Sequence, residues 1–292
     1  MNPFKRPEIV GVVNITTDSF SDGGKYLDTD KAIEHAEQLL ADGADILDLG
    51  AAASNPHAER VEAQTEIDRL VPVVKHLKQQ GARISIDTTK IEVQRWAIAQ
   101  GVEFLNDIRG FPDDSLYPEL AASNAKLIVM HFIQHLSVDV RQKGAGQVPD
   151  LDKAVRQPKK PQEVFDSIYS FFETRLHALR KAGIADDRLI IDPGMGFFLA
   201  SNPEPSLAVL AHLDEIKSRF NLPLMIGVSR KSFLKNLNAP AVALPAQADD
   251  IQTRTLAAEL FAAQSGADYI RTHDAKALSE GLRTWDAIMK QQ

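Results

Sequence analysis

The chain contains no cysteine, which excludes disulfides, thiolate-held metals and cysteine nucleophiles and points to a reducing compartment. It also lacks an excess of positive charge. With 33 Lys and Arg against 40 Asp and Glu, the net charge is −7, so the footprint of a nucleic-acid or anionic-membrane binder is missing, while a local anion site stays open. No stretch reaches the roughly 18 apolar residues of a membrane span, and the opening MNPFKRPEIVG lacks the apolar centre of a signal peptide. A cytosolic (cytoplasmic) protein is expected. Wholesale disorder is excluded too, because 44% hydrophobic and 25% charged residues over 292 positions are enough to bury a full core.

What is present is a regular alternation. Eight short runs rich in Ile, Val and Leu, at 9–16, 45–50, 83–88, 103–108, 126–132, 188–194, 222–229 and 268–273, have the length and composition of buried strands. Between them, 29–42, 62–80, 91–100, 162–182, 203–219 and 249–265 carry apolar residues at helical spacing. Shorter helices are expected near Leu116 and after Ala275. Gly43, Gly81, Gly101, Gly183 and Gly266 each stand between a helical stretch and the next strand, where a helix stop belongs. Eight β-then-α units predict an α/β fold, a (β/α)8 TIM barrel forming a single domain over 1–292, with an open doubly wound sheet as the alternative. Long loops are expected at about 16–26, 50–60 and 133–161, and another at 238–249.

In such a barrel the active site gathers at the C-terminal strand ends. Polar residues recur there: Asn14, Asp48, Asp87, Asn106 with Asp107, His131, Asp192, Ser229 to Lys231, and Arg271 with His273. Each alone is equally well a cap or loop anchor; their convergence on one mouth is what points to function. Asp87 and Asp192, on non-adjacent strands, suit the amino and ring N–H donors of a planar heterocycle such as a pterin or purine. Arg271, His273 and Lys231 lie on the seventh and eighth strands, where this fold commonly builds phosphate sites. No group of side chains has zinc-ligand spacing. Mg2+ needs only one or two protein oxygens beside substrate phosphates, and Asn14 is a candidate for one.

Six motifs then fall in order: VVNITTDSFSDGG after the first strand, SIDTTK at the third, LNDIRGF at the fourth, IDPGMGF at the sixth, GVSRKSFL at the seventh and IRTHD at the eighth. In order and spacing they resemble the dihydropteroate synthases, over nearly the whole chain. The resemblance implies a transferase that condenses 6-hydroxymethyl-7,8-dihydropterin pyrophosphate with p-aminobenzoate through a pterin cation. It implies a pterin pocket of Asp87, Asn106, Asp192 and Lys231 with Met130 and Phe197 as apolar walls. Pyrophosphate would meet Asn14 through Mg2+, together with Arg271 and His273. Catalytic roles fall to Asp87, Asp192, Lys231, Arg271 and His273, and p-aminobenzoate contacts to Phe20, Ser54, Asn55, Pro56, Phe197 and Ser229. Homodimers packed through the last helices are also implied, with Leu256, Leu260 and Phe261 as candidate contacts.

One loop departs from the family pattern. Where that pattern reads close to Gly-Gly-Glu-Ser-Thr-Arg-Pro-Gly, the chain has Gly50-Ala51-Ala52-Ala53-Ser54-Asn55-Pro56-His57, so a glutamate and an arginine are lost. The departure resembles the sulfonamide-insensitive members, and a reshaped p-aminobenzoate entrance predicts reduced sulfonamide sensitivity. Three rival readings remain: a pterin-dependent methyltransferase, a non-catalytic pterin-binding homologue, and a Schiff-base aldolase using Lys231. Retention of Asn14, Arg271 and His273 argues against the first and leaves an idle anion site in the last.

Overall fold

The computed structural model of the chain describes residues 4–15, 25–52, 61–132, 159–235, 237 and 248–291. Within them, strands β1 (Glu8–Asn14), β2 (Ile46–Gly50), β3 (Ile84–Asp87), β4 (Phe104–Asp107), β5 (Lys126–Met130), β6 (Leu189–Asp192), β7 (Met225–Ile226) and β8 (Tyr269–Thr272) form one sheet. Its order is β6-β5-β4-β3-β2-β1-β8-β7, and every pair is parallel. The two ends meet: Ile191 N–H donates to Pro223 O at 2.9 Å, and Ile191 bridges Leu224. The expected barrel is therefore nearly closed.

The helices are α1 (Lys25–Ala41), α2 (Ala63–Gln79), α3 (Ile91–Ala99), α4 (Tyr117–Ala122), α5 (Pro161–Lys181), α6 (Glu204–Ala211), α7 (Leu213–Phe220), α8 (Ala248–Gln264) and α9 (Ala275–Met289). Outward residues of the strands, such as Leu47, Leu105 and Val129, pack against Leu77, Val93 and Phe172 from these helices in one continuous buried cluster. Each such side chain contributes about 1.5–3 kcal/mol on burial. All five expected glycine stops have positive φ. Gly43 is the most demanding: at φ 98° an added Cβ would lie 2.7 Å from Ser279 Oγ. Among the described residues, no helix is long and apolar enough to cross a membrane.

Two elements depart from expectation. The helix expected over 203–219 breaks at His212, whose ring Nδ1–H donates to Ala208 O at 2.9 Å while its backbone N–H turns to Val209 O at 3.2 Å. The side chain thus takes the carbonyl that a continuing helix would use. The strand expected over 222–229 keeps a ladder with β8 only at Met225 and Ile226, with Leu224 making the single bridge to Ile191; Pro223 has no N–H, and the Leu224 N–H is taken by the Asp268 carboxylate at 2.9 Å.

Alternate strand residues point into the barrel. Val10, Ile46, Phe104, Ile128, Ile190, Met225 and Tyr269 make a separate apolar cluster there. Two residues further along the same strands the lumen turns polar: Asp48 follows Ile46, Asn106 follows Phe104, Asp192 follows Ile190 and Arg271 follows Tyr269.

Candidate active site

At the C-terminal mouth one arginine organises the floor. Arg271 Nε donates to Asp48 Oδ2 at 2.6 Å, and its Nη2 to Asp87 Oδ2 at 3.0 Å. Asn106 Nδ2 donates to the same Asp48 oxygen at 3.0 Å. Register explains the assembly, because Gly50 pairs with both Asn14 and Asp87, and Asp87 with Asn106. A Cβ added at Gly50 would lie 3.9 Å from both Asn14 Oδ1 and the Asp87 side chain. Three atoms in this floor, Asp48 Oδ1, Asn106 Oδ1 and Ser85 Oγ, are buried without a hydrogen-bond partner. Buried polar atoms nearly always have a hydrogen-bond partner, so three unmatched ones in one layer set this floor apart from an ordinary core.

Burial, then the neighbouring Asp48 charge, pushes the Asp87 carboxyl up to about 7, with Arg271 pulling it back. For Arg271 itself burial works against the charge, but Asp48 and Asp87 outweigh it and hold the guanidinium above its ordinary range.

Across the mouth, Asp192 ends β6 beside Met130 of β5. Its Oδ1 accepts from Gly194 N–H at 2.8 Å, so one oxygen also anchors the following loop. Gly194 is required there, since an added Cβ would meet His131 O at 2.5 Å. Lys231 Nζ donates to Met195 O at 3.1 Å and stands 5.1 Å from the Phe198 ring centroid. Phe197 and Phe198 stack at 4.0 Å between centroids, forming an apolar wall beside the lysine. Burial pushes Asp192 up and Lys231 down to about 8, and each charge opposes the other's shift.

The third part is the edge formed by Ser229 and His273. His273 N–H donates to Ser229 Oγ at 3.2 Å, and the His273 ring Nδ1 pairs with the same oxygen at 3.0 Å. Burial, followed by Arg271 and Arg230, holds the imidazole down to about 4. It is therefore neutral at pH 7 and acts as a hydrogen-bonding group rather than a resident cation. Arg230 next door is exposed and held at φ 59°.

These observations can be set beside known proteins. A family model described as pterin binding enzyme matches residues 10–273. The chain is 50% identical to a dihydropteroate synthase type-3 of Escherichia coli, covering 96% of this chain and 99% of that one. It is 48% identical to a dihydropteroate synthase type-2 of the same organism, covering 96% and 95%. Among solved structures, a Clostridium difficile dihydropteroate synthase determined in the presence of pteroic acid aligns with a TM-score of 0.80 and 31% identity, covering 99% of this chain and 98% of that one. The chain belongs to the dihydropteroate synthase family of pterin-binding enzymes.

Of the residues expected to carry a dihydropteroate synthase site, Asn106 and Arg271 meet on Asp48 and Arg271 also holds Asp87, while Asp192, Lys231, Met130 and Phe197 belong to the β5 to β7 side of the mouth. Ser229, expected on the p-aminobenzoate side, has its hydroxyl on His273. Asn14 is exposed at the end of β1; a single amide oxygen beside phosphate oxygens suits a hard cation carried in by substrate. Phe20, Ser54, Asn55 and Pro56 lie outside the described residues.

Two strand-end residues prove to be anchors. Asp107 accepts from Arg109 N–H, Phe111 N–H and Gln94 Nε2 at 2.7, 3.1 and 3.0 Å. His131, fully buried, pairs with Pro193 O and Ser167 Oγ, both at 3.0 Å. Asp48 is the residue to which sequence assigned no role, although it holds the arginine. Leu256 and Leu260 lie close to α9, where an added Cβ at Gly281 would meet them at 3.1 and 3.2 Å, whereas Phe261 is 49% exposed.

Proposed function

We propose that the chain works as a dihydropteroate synthase, joining 6-hydroxymethyl-7,8-dihydropterin pyrophosphate to p-aminobenzoate to give 7,8-dihydropteroate and pyrophosphate. The observation that carries this reading is the placement of the Arg271 guanidinium on the largely buried Asp87, at 3.0 Å, with the buried Asp192 facing it across the same mouth. Asp87, Asn106, Asp192 and Lys231 hold the pterin edge by hydrogen bonds, and Met130 and Phe197 cover its faces. The bond from the methylene carbon to the bridging oxygen breaks first, and pyrophosphate leaves with the electron pair. Arg271 and the neutral His273 donate hydrogen bonds to the charge that develops on it, while the nearby carboxylates favour the pterin cation. The arylamine then attacks the methylene carbon through its own lone pair; being nucleophilic when neutral, it needs no general base from the chain. Mg2+, when bound with the substrate, supplies further charge neutralisation, with Asn14 Oδ1 as the protein oxygen that would hold it.

Reduced sulfonamide sensitivity belongs to the same reading. The loop after β2 begins with Ala51, buried and tied through its carbonyl to Arg69 at 2.8 Å, and continues through the small residues that replace the family's charged pair. An assay of pyrophosphate release with pterin pyrophosphate, Mg2+ and p-aminobenzoate, titrated with sulfamethoxazole, tests both parts. Release that depends on p-aminobenzoate and resists the drug supports them; strong inhibition removes the resistance alone. Binding of the pterin without turnover would establish the non-catalytic homologue instead. We further propose a homodimer, supported by a groove of Leu207, Leu210, Leu234, Leu237 and the exposed Phe261, and a cytoplasmic setting, supported by the absence of cysteine. Sedimentation of the wild type and of Phe261→Glu tests the dimer.

A further inference from the structure

The strands that carry Asp87 and Asn106 are tied to each other just beyond that pair, from a helix outside the barrel. Asp87 and Asn106 are register partners on β3 and β4, and Thr88 N–H donates to Asn106 O at 3.0 Å, one step past Asp87. The residue that follows each of them, Thr88 and Asp107, is 6% and 1% exposed. Gln94 of α3 is also buried and reaches both: its Nε2 donates to Thr88 O and to Asp107 Oδ2, each at 3.0 Å. A carbonyl and a carboxylate only accept, so the amide NH2 must face them, and both of its protons are engaged.

Each strand end has an anchor of its own as well. Thr88 Oγ1 donates to Glu66 Oε2 of α2 at 2.9 Å and accepts from Lys90 N–H at 3.2 Å, while Lys90 Nζ pairs with the other Glu66 oxygen. Asp107 holds the Arg109 and Phe111 N–H groups. Those contacts fix each loop to itself or to α2, whereas Gln94 fixes one loop to the other. Packing of α3 does not require an amide there, since Val93 and Ala97 are buried on the same helix and an apolar side chain at position 94 would bury too. Such a side chain would lose the crosslink and leave a buried carbonyl and a buried carboxylate oxygen each one donor short.

We propose that Gln94 is a positioning residue for the pterin edge: by clasping Thr88 and Asp107 it sets the separation and aim of Asp87 and Asn106, the residues that precede them. Gln94 belongs to the outer layer of the barrel and acts through these two partners. The proposal rests on the dihydropteroate synthase reading and adds to it a residue behind the site.

The test uses the full chain as Gln94→Met, Gln94→Asn and Val93→Ala. Three quantities are read: steady-state constants for both substrates, the Kd for 6-hydroxymethylpterin by calorimetry, and the melting temperature. Q94M keeps the length of the side chain and removes both donors, so KM for the pterin pyrophosphate and Kd for the pterin should each rise about tenfold, while KM for p-aminobenzoate stays within about twofold. V93A, which opens a cavity beside the same helix, should lower the melting temperature at least as far and leave both pterin constants within about twofold. Unchanged pterin constants in Q94M, equal rises in both KM values, or the same rise in V93A overturns the proposal. Should Q94M fail to fold, Q94N decides: it keeps the amide but is one methylene too short to reach both partners, and the same rise is expected. Absence of turnover in the wild type would defeat the functional reading, while the pterin Kd series would still decide the positioning role; a wild type that binds no pterin overturns both.

Discussion

The two ends of the barrel carry the same cast, one arginine with two carboxylates, in opposite circumstances. At the N-terminal end, Arg83 pairs with Glu103 through Nε at 2.9 Å and Nη2 at 2.8 Å, and its Nη1 reaches Glu8. All three side chains there are 36–37% exposed. At the C-terminal end, Arg271 is 23% exposed, Asp87 11% and Asp48 0%. Water screens the first set and leaves it satisfied, with Arg83 holding Glu103 below the usual carboxylate range. The second set is dry, keeps an oxygen of Asp48 unmatched, and drives Asp87 up to about 7. Charge composition does not separate a stabilising cluster from a working one. Desolvation does, because only buried groups hold enough unused interaction to favour a transition state over solvent.

The largest effect should break the symmetry outright. Arg271→Ala should lower kcat/KM by about 10²–10³-fold, the cost of removing one preorganised donor from a developing anion. Arg83→Ala should leave kcat/KM within about twofold and lower the melting temperature by about 2–4 °C, because pairs this exposed are worth roughly 0–1 kcal/mol. Comparable losses of activity in the two variants would mean that both ends serve the chemistry.

Asp192→Asn comes next. It keeps the shape of the side chain but takes from Lys231 the charge that opposes its desolvation, and kcat/KM for the pterin pyrophosphate should fall by about 10²-fold. Asp48→Asn sharpens the comparison further, since Asp48 holds Arg271 and Asn106 without being assigned to substrate. A loss of about tenfold, carried by KM for the pterin pyrophosphate, is expected for a residue that acts only through its neighbours. A loss as large as that of R271A would place Asp48 in contact with substrate.

What the sequence revealed of this arrangement follows from the range of the interactions. The eight strands were legible because each is a short buried run closed by polar residues, and five of them follow a helix that ends in glycine, all within a few residues of one another. Asp87, Asn106, Asp192, Lys231 and Arg271 were legible as strand ends and motif positions. The role of Asp48 was not, because its partner Arg271 is 223 residues away and no local pattern announces that contact. The break at His212 was hidden for a different reason: a ring nitrogen competing for one carbonyl leaves the apolar periodicity of 203–219 intact.

The smallest effect should be a difference of sign between the two ends as pH changes. Asp87 ionises near pH 7 in the folded chain but near its ordinary value of 3.8 when unfolded. Between those values the unfolded chain holds fewer protons, so stability falls as pH rises, and the penalty stays constant above pH 7. Asp87→Asn removes that penalty. Its melting temperature should match wild type near pH 4, rise above it through pH 7, and remain a few degrees higher beyond. Glu103 behaves oppositely, because Arg83 lowers its folded value below the ordinary 4.5. Its contribution is present above pH 4.5 and is lost as pH falls through the folded value, so Glu103→Gln should be slightly less stable than wild type at pH 7 and converge on it in acid. Differential scanning fluorimetry of both variants from pH 4 to 9 reads the two signs directly. Curves of the same sign would mean that the mouth is wetter than its buried aspartates imply, and that solvent screens Arg271 as it screens Arg83.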